Sequence, residues 1–135
     1  MATIFLDASF IIAFDNEKDV HHKEARELWK KIESAAFGQY FISDYIFDEV
    51  ISVSLRKSND KIGTVQLGEK LLQSMLIINI DNHIFKEAWE IFRESKLNLS
   101  FTDCTNLVLL KLIGSNKIAT FDKAFKEIKG IEVIS

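Results

Sequence analysis

Proline is absent from the 135 residues, and no Gly/Ser-rich linker, low-complexity tract or internal repeat interrupts them. Nothing therefore divides the chain, and residues 1–135 are expected to form one domain, long enough to bury a substantial core. Cysteine is nearly absent: Cys104 alone excludes an internal disulfide and fits a reducing cytoplasm. A strong excess of either charge is missing as well. The formal charge of -3 leaves no global footprint for nucleic acid, so a polyanion would have to be met by a local basic patch or by metal. Nor is there a long hydrophobic run. The apolar start MATIFLDASFIIAF has no basic segment before it and is broken by Asp7, so neither a signal peptide nor a membrane span is expected, and the predicted location is cytoplasmic.

What is present is an alternation of two periodicities. Short β-branched or aromatic runs at Thr3 to Leu6, Tyr40 to Ile42, Leu76 to Ile80, Lys117 to Phe121 and Ile131 to Ile134 read as strands. Longer segments with helical spacing lie between them: His21 to Ala36 with Asp19 as N-cap, Ser43 to Lys57, Lys61 to Met75, a segment capped by Asp81, Cys104 to Ile113, and a short one stopped by Gly130. Cys104 to Ile113 is apolar almost all round and should be the most buried helix. Strands separated by helices imply right-handed crossovers, hence a mainly parallel sheet covered on both faces. Ligands of such sheets bind beyond the carboxyl ends of the strands, where the winding direction reverses.

Four acids stand at the edges of apolar segments: Asp7 in IFLDASF, Glu49 in IFDEVIS, Asp103 in LSFTDC and Asp122 in IATFDKAF. A carboxylate at such a border loses hydration and needs a partner or a cation. Four that meet would repel one another, and a hard divalent ion is the simplest group that holds them together. Each also has a local explanation. Asp7 and Asp122 can cap the helical segments that follow them, and Asp103 can close a capping box with Ser100 or follow a Thr102 cap. A helical wheel places Asp48 and Glu49 on opposite borders of one apolar arc and does not choose between them. The four together are harder to explain as local structure.

The stretches FLDASFIIAF, SDYIFDEVISVSL, LSFTDCTNLVLL and IATFDKAF, in that order and at those separations, resemble the PIN domain family, and within it the ribonuclease toxins of the VapC type. The resemblance covers nearly the whole chain. It implies a three-layer α/β/α sandwich with a mainly parallel five-stranded sheet, and it assigns Asp7, Glu49, Asp103 and Asp122 to an acidic catalytic cluster that binds Mg2+ or Mn2+. It also favours Glu49 over Asp48. Ser9 and Thr120 match small hydroxyl positions beside the first and last acids, and Asn106 stands where such sequences often have Ser. The implied activity is endonucleolytic hydrolysis of RNA by metal-assisted attack of water on phosphorus. An antitoxin protein and a second copy of the chain are the implied partners.

Two other classes of protein share part of this pattern. A PIN-like module that binds RNA or protein without cutting would be expected to lack one or more of the acids. A phosphoaspartate-forming phosphatase or receiver domain would carry a second acid where Ser9 stands. Arg56, Lys57, Lys96, Lys111, Lys117, Lys123 and Lys126 are the candidate phosphate contacts, although surface lysines are usually only solvated. His21 and His22 read as exposed helix-end residues, Cys104 as a buried inert thiol, and Trp29 and Trp89 as core or interface anchors.

Overall fold

The computed structural model describes residues 2–135. Five strands, β1 (Thr3–Leu6), β2 (Gln39–Ser43), β3 (Leu76–Ile78), β4 (Lys117–Ala119) and β5 (Glu132–Ile134), form one sheet in the order β3-β2-β1-β4-β5, with every neighbouring pair parallel. Six α-helices accompany them: α1 (Ala8–Asp15), α2 (His22–Glu33), α3 (Asp44–Ser58), α4 (Lys61–Ser74), α5 (Asn82–Glu94) and α6 (Phe101–Ile113). Helix α1 packs on α2 and α3, and α3 on α4, while α5 packs on α6, giving the three-layer α/β/α sandwich. The short central strands have to be apolar on both faces, because helices cover both sides. Ile4, Phe5, Leu6, Phe41, Ile42, Ile118 and Ala119 are all buried accordingly.

Strand order is the property that periodicity leaves open, and here it decides where the site lies. The chain runs outward from β1 to β2 and β3, then crosses back to β4 and β5 on the other side of β1. The winding direction therefore reverses between β1 and β4, and a crevice opens at their carboxyl ends. Phe5 pairs with Ile118 and Leu6 with Ala119, so Asp7 and the segment after Ala119 emerge side by side. The ladder continues one step further, with the Asp7 N–H donating to the Ala119 carbonyl at 3.0 Å.

Helix boundaries follow local chemistry. The Ser43 hydroxyl accepts from the Ile46 N–H, and the Asp81 carboxylate accepts from the Ile84 N–H, each satisfying one orphan donor of a first turn. Ser100 and Asp103 form a reciprocal capping box that starts α6 three residues before the predicted Cys104. That helix buries Asp103, Cys104, Thr105, Asn106, Val108, Leu109 and Leu110, more than any other. On α4, Leu67 and Leu71 face the core while Ile62, Val65 and Leu72 are exposed.

Three expectations are corrected. Asp19 does not cap α2: it stands two residues before the N-cap residue, His21, and its carboxylate accepts from the His21 N–H. The last helical segment is a 3-10 turn over Lys123–Glu127, too short to close a run of α-type bonds before Gly130 turns the chain at φ 86°. Strand β4 stops at Ala119 instead of Phe121, because side chains take over from the ladder: the Phe121 N–H donates to Ser9 Oγ, and the Thr120 hydroxyl donates to Asp7.

Candidate active site

Asp7 occupies the N-cap position of α1, yet its side chain makes no capping bond to the first turn. The carboxylate is instead held from the side. Thr120 Oγ1 donates to Asp7 Oδ2 at 2.7 Å, Ser9 Oγ lies 3.3 Å from the same oxygen, and Asn106 Nδ2 reaches Asp7 Oδ1 at a long 3.4 Å. Ser9 and Thr120 also touch each other at 3.1 Å, so two short hydroxyls from opposite ends of the chain fix one carboxylate. Asn106, fully buried on α6, leaves its Oδ1 without a hydrogen-bond partner.

Asp7, Ser9, Glu49, Asn98, Leu99, Ser100, Asp103 and Asp122 line one cleft of about 490 Å³. Four elements deliver the four acids: the end of β1, the first half of α3, the first turn of α6 and the turn after β4. Glu49 lines the cleft and Asp48 does not; the Asp48 carboxylate accepts from Ser52 on the exposed side of α3. Asp103 and Asp122 also perform the capping roles open to them, Asp103 accepting from the Ser100 N–H and Asp122 from the Ala124 N–H. A cap uses one carboxylate oxygen, so capping and facing the cleft are compatible.

Proximity shows in the protonation equilibria. Burial first, with Asp103 and Glu49 adding to it, lifts the Asp7 carboxyl to about 6 against the lowering effect of the Thr120 hydroxyl and the Ala8 N–H. Glu49 is pushed up by burial and then by Asp103, Asp48 and Asp122. Asp103 is pushed up by burial and by Asp122, partly offset by its hydrogen bonds to Ser100. No lysine, arginine or histidine lines the cleft to offset this charge. Among the described residues, no three His, Cys, Asp or Glu side chains stand close enough together to grip a single ion directly. The donor set is nonetheless all oxygen and all acidic. It fits a hard cation that keeps part of its water shell, since magnesium characteristically takes only one or two protein carboxylates.

The sequence reading missed Asn98 and the loop that carries it, which has no periodicity to mark it. None of the seven candidate phosphate-binding cations lines the cleft, and Lys57 lines a separate one. Cys104 is buried and its thiol is pushed up by burial and by Asp103, the opposite of what a nucleophile needs. His21 is placed unexpectedly, stacked on Phe121 beside Asp122.

No curated protein matches the chain significantly. Solved structures match along almost its full length. A VapC toxin of Mycobacterium tuberculosis described as cleaving the sarcin-ricin loop superposes with a TM-score of 0.79 at 23% identity, covering 91% of this chain and 92% of that one. A VapBC complex of Rickettsia felis bound to promoter DNA gives 0.71 at 16% identity, covering 98% and 97%. A toxin-antitoxin complex of Klebsiella pneumoniae gives 0.69 at 22%, covering 98% and 96%. At these identities the likeness is one of fold. The family model described as PIN domain matches residues 4–131, from the first buried residue of β1 to the foot of β5, and the chain belongs to the PIN domain family.

Proposed function

We propose that this protein is a metal-dependent endoribonuclease, hydrolysing RNA phosphodiester bonds as the toxin of a toxin-antitoxin pair. The observation that carries the reading is the convergence of Asp7, Glu49, Asp103 and Asp122 on one cleft without a compensating cation. Asp7, Asp103 and Asp122 are the proposed metal ligands, direct or through water, and Glu49 is a ligand or the group that orients the attacking water. Bound Mg2+ or Mn2+ would supply charge neutralisation at the phosphate and acidify water.

The remaining steps belong to the chain. Ser9 and Thr120 hold the Asp7 carboxylate in a fixed rotamer, and the buried Asn106 amide limits its movement from the α6 side. Their role is positioning: a ligand oxygen held by packing and hydrogen bonds loses little entropy when it engages. Glu49 is the most exposed of the four, which suits a group that must accept a proton from water and release it. The likeness to a toxin that cleaves the sarcin-ricin loop and to toxin-antitoxin complexes supports RNA as substrate and an antitoxin as partner. The proposed unit is one domain spanning 1–135, assembling as a homodimer in the cytoplasm. Among the described residues no helix is long and apolar enough to cross a membrane.

The second reading is a PIN-like module that binds without cutting, favoured by the failure of any three acids to stand within gripping distance of one ion. One experiment separates them. Structured RNA is incubated with the protein and Mn2+, with EDTA and Asp7→Asn as controls. Metal-dependent cutting abolished by the substitution is the outcome expected; binding of RNA without cutting at any metal concentration would establish the module instead.

A further inference from the structure

The ring of His21 lies flat on that of Phe121, with centroids 4.4 Å apart and planes 3° from parallel. Nothing in the helix-end reading of His21 requires this. A surface histidine at an N-cap position is free to turn into solvent, and the short polar side chains usually found there serve the helix better. Three further contacts fix the residue. Its N–H donates to Asp19, its carbonyl accepts from the Ala25 N–H, and its Nδ1 sits 3.1 Å from Glu24 Oε2. The imidazole is thus held at its base and along one edge, while 42% of the side-chain surface stays open.

The support beneath it is equally fixed. Phe121 is half-buried, tilts against the fully buried Phe10, and donates its N–H to Ser9 Oγ at 3.0 Å. It sits between Thr120, which holds Asp7, and Asp122, which lines the acidic cleft. A rigid, half-open aromatic plate therefore stands one residue from the proposed reaction centre. Unpaired bases of single-stranded RNA are recognised chiefly by stacking on such planes, histidine included. The cleft itself is lined by acids and polar groups with Leu99 as its single apolar residue, so it offers no aromatic plane on which a base could stack.

The geometry points to His21 as the base-stacking platform of the RNA site: an unpaired nucleobase next to the scissile phosphate packs on the open face of the imidazole, with Phe121 supporting the other face. The inference rests on the nuclease reading for its substrate, and it locates the contact that the dispersed lysines leave unexplained. Stacking is sequence-tolerant, because every base has a π-face, so His21 contributes affinity for unpaired RNA more than choice of sequence.

The test compares a labelled single-stranded RNA with an abasic strand of the same length, both titrated in EDTA and read by fluorescence anisotropy. Wild type binds the base-containing strand about tenfold more tightly than the abasic one; His21→Ala removes that difference while leaving abasic binding unchanged, and His21→Phe restores it. Equal affinity of the wild type for the two strands, or equal losses on both in His21→Ala, would overturn the proposal. Should His21→Ala fold poorly, His21→Trp gives an independent reading. Its emission, after subtracting that of Trp29 and Trp89 in the wild type, is quenched on stopped-flow mixing with RNA and Mg2+ before cutting begins. Unchanged emission would equally overturn the stack. Quenching in this variant while the wild type cuts no RNA would refute the nuclease and leave the platform standing, whereas wild-type cutting without quenching in the variant would do the reverse.

Discussion

Of two clefts lined by the described residues, the larger is not the one proposed to carry the chemistry. The larger, about 630 Å³, lies where α1 meets α3 and α4; the smaller, about 490 Å³, lies beyond β1 and β4. Their linings differ in the sign of their neighbours. In the larger cleft Asp15, Glu17 and Asp60 stand among Lys18, Lys57 and Lys70. Burial raises the Asp15 carboxyl there, but Lys70, Arg26 and His22 all pull it back. In the smaller cleft burial raises Asp7, and every charge that acts on it raises it further. One cleft is neutralised by its own side chains and needs no ligand. The other stores repulsion that a cation would relieve, so charge balance and not volume supports the proposed site.

The sharpest way to break this comparison is to neutralise charged side chains in each cleft and measure cutting. Asp103→Asn and Asp122→Asn are each expected to lower Mn2+-dependent RNA cleavage by about a thousandfold, the scale of losing a group that acts on developing charge. Lys70→Met, in the larger cleft, should change the rate by less than about threefold, since it alters an exposed charge that lines no part of the acidic cleft. Comparable losses from all three substitutions would show that the clefts are not functionally distinct.

A stability measurement sharpens the same contrast. The Asp7 carboxyl titrates near 3.8 when unfolded and near 6 when folded, so between those values the native state binds more protons than the unfolded state. Stability contributed through this group is therefore greatest at low pH and falls as pH rises through that window. The ceiling is about 3 kcal/mol, from a shift of a little over two pH units. Urea denaturation in EDTA at several pH values should show this loss in the wild type and a flatter profile in Asp7→Asn. Mg2+ should restore stability at neutral pH in the wild type only. A wild-type profile as flat as that of the variant would remove the claim that Asp7 is held against its preference.

Much of this was legible in the residues, and the reasons are specific. β-branched and aromatic runs of three to five between helical periods leave little alternative to a covered parallel sheet, and Ser43, Asp81 and Ser100 announced their helices through capping chemistry that depends only on local sequence. Asp7, Glu49, Asp103 and Asp122 stood out because each interrupts an apolar run. What stayed hidden was long-range. That β4 sits beside β1 is a matter of crossover direction, and no local pattern encodes it. Thr120 could be suspected beside the last acid, but its bond to a residue 113 positions earlier could not. Asp19 lies two positions before His21 and its carboxylate was taken by the His21 N–H, so a good N-cap residue was spent on a turn. The stack of His21 on Phe121 joins residues 100 apart and has no period to reveal it.

The helix caps at the two clefts extend the comparison to smaller energies. Ser100 caps α6 and lines the acidic cleft; Asp60 caps α4 and lines the larger one. Ser100→Ala and Asp60→Ala should each cost about 1 kcal/mol of stability, the ordinary value of an N-cap. Only Ser100→Ala should also slow RNA cleavage, because the capping box that it breaks orients Asp103. A rate loss in Asp60→Ala beyond its effect on the folded fraction would contradict that assignment.

The smallest effect concerns Gly63, a residue that counts against α4 on propensity alone. A side chain there would meet its own helix cap: an added Cβ lies 2.5 Å from Asp60 Oδ2, the carboxylate whose Oδ1 accepts from the Gly63 N–H. Alanine is worth about 1 kcal/mol more than glycine inside a helix, and displacing the cap costs about the same. Gly63→Ala should therefore leave stability almost unchanged. In the Asp60→Ala background, where no carboxylate remains to displace, the same substitution should stabilise by about 1 kcal/mol. A double-mutant cycle in urea measures the difference, and a coupling near zero would mean that the glycine is not kept for the cap.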